Sequence, residues 1–517
     1  MLLKNSSPKI IQRFIVIGCL FVLVGLIFSK AILSLSTAYL LIIVLLSGDY
    51  GEAIKRIKNN RTLNYFLLFI LFYSCSLFWS TNINAGCKDL LSKCNLFLLP
   101  IVLVALPTIS SKNKTGLLRI FTGLLLIASV INFIIYQNAY THDKDIRTMS
   151  LFVSHIRFSL FVIFGIFILA YQKTTNVYLK IISYLAIAWL LFYTYYAQVL
   201  SGILVLTCCI VYLTIYELRS SIKWRKITSY LFLGSMILLI IISIINFNEL
   251  NKNKTEIKQY PTLTKLGHKY SHDTVSKALE NGYPLHCFIN KEELDSTWKT
   301  RSTVPLDSYT KNEYRYYTVL VRYLTSKGLT KDAEGVNKLT QQDIHNIEHG
   351  IPTVLALESG LKKRIYELQY ELNSQQDPNG HSILHRIEYW KTGWSIFKNN
   401  WLLGTGIGDY KEVYQEQYIN SNSVLEPKNR LESHNQFLGI LVATGSVGLT
   451  LFLLHLIYSF RTFAKNKNKL ALLFFIICIV SFLVEDTLTT LAGMSFYSFF
   501  FGLFIKNDQY KNYVKNI

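Results

Sequence analysis

The sequence predicts an all-α polytopic membrane protein, with about twelve transmembrane helices and one large, mainly helical loop domain outside the membrane between the ninth and tenth. Three observations predict it. Of the 517 residues 51% are hydrophobic, and they fall in blocks of roughly twenty, the length that crosses about 30 Å of hydrocarbon. The lysines and arginines behind the formal net charge of +21 collect in alternate loops, the asymmetry that orients membrane proteins. A polar stretch, residues 246–433, interrupts the apolar blocks and is too long and too patterned for a plain connection.

The first block, 14–28, has a basic flank like a signal peptide, but no small-residue cleavage site follows and a second block, 31–46, comes at once. Further spans are expected at 65–79, 96–106, 117–135, 152–171, 181–196, 203–216 and 230–245, then at 437–460, 470–484 and 491–505. With the N-terminus inside, the inner segments carry Lys4, Lys9 and Arg13, then Lys55, Arg56, Lys58 and Arg61, then Lys112, Lys114 and Arg119, and later Arg219, Lys223, Arg225 and Lys226. The short outer loops hold only Lys30, Lys88, Lys93, Lys144 and Arg147. Both termini are therefore expected in the cytoplasm. Three regions follow: a bundle over 1–245, an extracytoplasmic helical domain over 246–433 and a second bundle over 434–517. Charge distributed in this way implies membrane lipids as surroundings and no nucleic acid partner. The eight cysteines show no paired spacing and imply no disulfide framework.

Within the outer domain, Asn281-Gly282 and Pro284 are turn-like. Residues 314–325 read as a helix with Arg315 and Arg322 on one face. Thr340 and Asp343 make an acidic capping box, closed by Gly350. Leu361, Ile365, Leu368 and Leu372 mark another helix face, Asp377-Pro378-Asn379-Gly380 a turn, and Ser382 a helix cap. In the helix that follows, Ile383, Ile387, Trp390, Trp394 and Phe397 recur at helical spacing, and Asn399 and Asn400 end it. Gly404, Gly406 and Gly408 then free the backbone for a tight re-entrant turn.

The candidate chemistry lies where this domain returns to the membrane. Arg157 sits in the sixth apolar block, where an ionisable group is a functional candidate by default and snorkelling is its bland alternative. Arg386 adds a second guanidinium, whose bland alternative is a surface ion pair with Glu388. Two such forks suit a diphosphate. His434 can take a proton near neutral pH, or else serves only as a helix-entry residue; Asn435 is placed to orient it. Glu485 and Asp486 end the eleventh block, either paired with the site arginines or stopping the helix. His345 to His349 match H-x-x-E-H and His381 with His385 repeat the spacing, but no third ligand is evident, so no metal is expected. The G-x-G-x-G at Gly404 lacks a preceding strand, so no dinucleotide cofactor is expected either.

Arg386 followed by Trp390, the LLGTGIGDY turn, and His434-Asn435 with nine residues before Gly445-Ser-Val-Gly448 together resemble the O-antigen ligase and polymerase superfamily of bacterial envelopes. The histidine-to-glycine spacing reproduces the H-[N/S/Q]-x9-G-x-x-G element of the family's ligases, with Gly445 and Gly448 as turn glycines. NEYRYYTVLVRYLTSKGLTKDAEGV and DIHNIEHG resemble the loop inserts of Bacteroidetes ligase-like proteins. The resemblance implies an inverting, metal-independent transfer of a glycan from undecaprenyl pyrophosphate to an acceptor hydroxyl, without a cofactor, on the periplasmic face of the inner membrane. The acceptor is lipid A core for a ligase and a growing glycan for a polymerase; protein glycosylation is a third option. By the same resemblance His434 is the base or acceptor-positioning group, and Arg157 and Arg386 hold the pyrophosphate; Arg315, Arg322 and Asn435 are further candidates for contact with diphosphate or glycan. A transporter is the alternative of another class; against it, the hydropathy shows no two-fold repeat.

Overall fold

The computed structural model describes residues 8–138, 146–172, 174–218, 260–276, 278–310, 314–357 and 382–506, with residues 226, 227, 230, 234 and 379. Among these are nineteen α-helices and a single hairpin of two-residue strands. Packing divides the chain into two units, Met1–Leu213 with Arg386–Ile517, and Thr214–His385. The boundaries 245/246 and 433/434 expected from hydropathy concern sides of a membrane and differ from these packing boundaries.

Among the described residues seven helices are long and apolar enough to cross a membrane: Lys9–Phe28, Lys30–Ser47, Arg61–Trp79, Ser111–Asn138, Val177–Tyr196, Leu200–Leu218 and Gln436–Lys465. Four shorter apolar helices, Cys94–Ala105, His155–Tyr171, Lys469–Val484 and Leu491–Ile505, accompany them. Each lies on an expected span, and the chain is a multi-pass membrane protein. The span expected at 230–245 and the helix face from Leu361 to Leu372 lie outside the described residues, save residues 230 and 234; of the turn at 377–380 only Asn379 is described, and it is in a turn. Asparagines set several helix starts: Asn60 accepts from the Leu63 amide at 3.0 Å and Asn468 from that of Ala471 at 3.2 Å, each satisfying an otherwise unpaired donor.

The short helices are enclosed by other helices. Every residue of His155–Tyr171 from Arg157 to Leu169 is buried, as is most of Leu491–Ile505. The latter packs on Cys94–Ala105, where Gly502 lets the helices approach: a Cβ there would sit 3.1 Å from the Pro100 Cα. Gln436–Lys465 packs on Arg61–Cys75 and on Lys469–Val484.

One helix is broken, and the break positions the site. Within Gln436–Lys465, Gly445 has φ 64° and ψ −169°, a conformation essentially reserved for glycine. The break frees the Val442 and Ala443 carbonyls, which accept from the Thr405 and Gly406 amides at 2.9 Å each. In return the Ser446 and Val447 amides donate to the Trp401 and Leu402 carbonyls at 2.8 and 3.3 Å. The turn at Gly404 is thus held by the broken helix; irregular backbone in a membrane protein persists only when satisfied inside the protein. Gly408 and Gly448 are not in left-handed conformations. They permit close packing instead, Gly408 against the Asn82 carbonyl and Gly448 against Thr444. The neighbouring Asp409 ties the turn down by accepting from the Thr81 and Asn82 amides, both at 2.8 Å.

The tryptophan-bearing helix, Ser382–Asn399, ends where expected. It buries Tyr389, Thr392 and Ile396, while Trp390 and Trp394 are 38% and 50% exposed. The buried stripe packs on Tyr414, Tyr418, Leu425 and Val442. Tyr414 and Tyr418 belong to a helix, Tyr410–Asn420, in a stretch for which no element was expected. Its only large apolar groups facing inward are tyrosines, so its periodicity is faint in the sequence.

The second unit has its own core, built on Leu294, Trp298, Leu320, Tyr323, Leu324, Val336 and Ile347. Helices Tyr316–Ser326 and Gln341–Glu348 stand as expected, the second with a complete Thr340–Asp343 capping box. Asn281 (φ 50°) and Gly282 (φ 84°) close the hairpin of Leu279–Glu280 with Tyr283–Pro284, the turn that suits strand twist. Helix Lys291–Arg301 was not legible: only Leu294 and Trp298 give it an apolar face.

Candidate functional site

Four side chains, those of Arg157, Arg386, His434 and Asp486, gather around one buried carboxylate, Glu485. Glu485 follows Lys469–Val484, and its side chain is 2% exposed. Arg157, in the first turn of His155–Tyr171, donates from Nη1 to Glu485 Oε2 at 3.2 Å and from Nη2 to Asp486 Oδ1 at 3.4 Å. Arg386 donates from Nη2 to Glu485 Oε1 at 2.5 Å and from Nη1 to the Val484 carbonyl. His434 turns Nδ1 toward the same pair, 3.7 Å from Glu485 Oε2 and 3.8 Å from Asp486 Oδ1. That is ion-pair distance, longer than a hydrogen bond.

His434 is held from several sides. Its φ is 45°, a left-handed backbone that histidine tolerates better than most residues. The Trp390 indole donates to the Ser433 carbonyl at 2.9 Å, and the Ser433 hydroxyl donates to the Asn435 carbonyl at 2.9 Å. Asn435 accepts from the Leu438 amide at 3.0 Å and donates from Nδ2 to the Leu483 carbonyl at 2.9 Å. One residue therefore caps the broken helix and fastens it beside Glu485. The Tyr389 ring stacks on the imidazole, centroids 5.5 Å apart.

The electrostatics follow from this packing. Burial works to raise the Glu485 pKa, but the imidazole and both guanidiniums outweigh it and pull the carboxyl down to about 2. Glu485 raises the His434 pKa above its ordinary value, against burial and the Arg386 charge. Among the described residues, Arg157 Nε and His434 Nδ1 are buried without a hydrogen-bond partner. His434, Glu485 and Asp486 also bring ligand atoms within 4.8 Å of one another, a composition known from cation sites. Two guanidiniums already neutralise those carboxylates, so a divalent ion would have to displace Arg157 and Arg386.

The remaining candidates have partners of their own. Arg322 donates from Nε to the buried Glu280 at 2.9 Å, and Arg315 to the Tyr309 hydroxyl at 2.9 Å; both belong to the second unit. His349 Nδ1 lies 2.7 Å from the His345 carbonyl. His385 sits just before Arg386, and His381 is outside the described residues. Sequence reasoning left the role of Glu485 open between pairing and helix termination, and it missed Tyr389 and Ser433. The available signal for Glu485 was an acidic pair at the end of an otherwise uncharged apolar block, which needs a cationic partner.

Residues 351–453 match the family model described as O-antigen ligase. The match holds Arg386, the glycine turn, His434 and the helix break; Arg157, Glu485 and Asp486 lie outside it and are brought in by the fold. No curated protein matches the chain. Over that segment the chain is similar to the O-antigen ligase family.

Proposed function

We propose that this protein is a periplasm-facing glycan transferase of the bacterial inner membrane, with about twelve spans and both termini cytoplasmic. It moves an oligo- or polysaccharide from undecaprenyl pyrophosphate to an acceptor hydroxyl, with lipid A core as the acceptor. The observation that carries this reading is the convergence of Arg157, Arg386 and His434 on Glu485.

In the proposed reaction the acceptor oxygen attacks the anomeric carbon as the bond from that carbon to the pyrophosphate oxygen breaks. The electron pair leaves on the pyrophosphate, and the configuration inverts. Arg157 and Arg386 share one carboxylate and are therefore close enough to meet two phosphate groups at once, where a planar fork pairs two oxygens. The acceptor proton goes to His434 Nε2, because Nδ1 faces Glu485 and Asp486. A carboxylate behind Nδ1 fixes the tautomer and stabilises the imidazolium that forms, as in other histidine-carboxylate pairs. Charge on the leaving group is already spread over phosphate oxygens, so fixed guanidiniums suffice to stabilise it. Arg315, Arg322 and Asn435 are kept as further candidates for glycan contact.

The test is transfer by the purified protein in detergent, given undecaprenyl pyrophosphate glycan and lipid A core, without ATP or added metal. Product from the wild type and none from His434→Ala supports the reading. Undiminished product from His434→Ala removes the proposed base, and no product with any acceptor favours transport.

A further inference from the structure

A cavity of about 280 Å³ opens beside the cluster, and Asp486 lines it. It lies among Arg61–Cys75, the Ile83–Ser92 helix, the Tyr410–Asn420 helix and the start of the broken helix. Nothing in the proposed transfer uses its far wall. There Asp89 accepts from the Tyr73 hydroxyl at 2.7 Å and pairs with Lys93. Lys93 is only 7% exposed, and its Nζ stands 5.4 Å from the centre of the Tyr73 ring.

We propose that this cavity is a sugar subsite, receiving one ring of either the transferred glycan or the acceptor beside His434. The inference rests on the transferase reading and deepens it. Tyr73, Phe97 and Tyr410 line the cavity and supply apolar surface to the C–H side of a sugar ring. Asp89, Glu432 and Asp486 offer oxygens to its hydroxyls, and Lys93 with Lys411 offers donors; an apolar wall with a few placed polar groups is the usual make-up of a small-molecule site. Carboxylates outnumber ammonium groups three to two, which disfavours a second diphosphate and suits a neutral polyol. The charged lining also disfavours a prenyl chain, whose burial there would desolvate ions for no polar return. Asp89 is held by Tyr73 and Lys93 before any ligand arrives, so little ordering cost remains at binding.

Saturation-transfer difference NMR on the full-length protein tests this with two probes: the oligosaccharide freed from its lipid diphosphate by mild acid, and delipidated lipid A core oligosaccharide. One of the two should bind, and its identity assigns the cavity to donor or acceptor. Asp89→Asn should weaken that binding about tenfold, the loss of one charge-assisted hydrogen bond. Ser92→Trp fills the cavity from its exposed rim without opening the core, so it should abolish binding while the thermal midpoint stays put. Arg386→Lys should leave oligosaccharide binding intact and weaken undecaprenyl pyrophosphate, so the two readings fail separately. Binding of neither oligosaccharide by the wild type, or equal binding by Ser92→Trp, overturns the proposal.

Discussion

Two regions of this molecule bury carboxylates and treat them in opposite ways. In the second unit, Asp343 accepts from the Tyr323 hydroxyl at 2.8 Å, Lys327 at 2.6 Å and the Thr340 amide at 2.8 Å. Glu293 accepts from Thr264 and from the Ala333 amide, with His268 2.7 Å away. Burial pushes both carboxyls up, and their donors more than offset it. Glu485 in the first unit draws its donors instead from residues 157 and 386, with His434 at ion-pair distance, and the cluster leaves Arg157 Nε and His434 Nδ1 without a hydrogen bond. A carboxylate saturated by nearby donors fixes a fold. A cluster assembled from distant donors and left short of hydrogen bonds keeps capacity for a ligand, which is why unsatisfied buried groups point to sites.

The largest expected effect breaks this contrast directly. His434→Ala should lower the transfer rate by about 10²- to 10⁴-fold, the usual worth of a positioned base. Glu293→Gln should lower the thermal midpoint and leave the rate per folded molecule unchanged. Equal rate losses in the two variants would erase the distinction between site and scaffold. Next comes the broken helix. A Cβ at Gly445 would meet the Leu402 carbonyl oxygen at 2.2 Å, and the backbone conformation alone costs roughly 1–3 kcal/mol. Gly445→Ala should therefore lose both midpoint and transfer, whereas Gly116→Ala, with open space around it, should be neutral or slightly stabilising.

Smaller effects sharpen the electrostatics. Arg386→Lys keeps the charge and loses the fork, so the donor KM should rise about tenfold with little change in kcat. His434 must be neutral to accept a proton, and Glu485 raises its pKa. The profile of kcat/KM should rise with pH through a value above about 6.5. Glu485→Gln removes the largest cause and should move that limb to lower pH. For stability the sign is the reverse: the His434 interaction is fully present below the unfolded value and lost as pH rises through the folded one.

How much of this was legible follows from range. Hydropathy and the positive-inside pattern are local, so the apolar helices could be read from residue runs, and the Thr340–Asp343 box from a four-residue spacing. Gly404 was legible as backbone freedom, and Gly445 through the histidine-to-glycine spacing. Their mutual contact was not, because it depends on carbonyls exposed by a helix break 41 residues away. Likewise Arg157, Arg386 and His434 each stood out as charge near an apolar block. What joins them is Glu485, and a side chain that ends a helix looks the same in sequence as one that organises a cluster. The helices Lys291–Arg301 and Tyr410–Asn420 were missed because they bury tyrosine, tryptophan and glutamate in place of an aliphatic stripe.

The smallest effect tests the scaffold side of the contrast. Thr340 accepts from the Asp343 amide at 3.2 Å and donates its own amide to Asp343 at 2.8 Å. Thr340→Ala should cost about 1 kcal/mol of stability, as a lost N-cap does. Asp343→Ala should cost more, because it also strips Lys327 and the Tyr323 hydroxyl of their partner while these stay partly buried. Neither change reaches Glu485 through any bond described above, so both should leave the donor KM unaltered once folded protein is counted. A donor KM that moved with Thr340→Ala would mean that the saturated knot feeds the site after all, and the two kinds of buried carboxylate would have to be treated as one system.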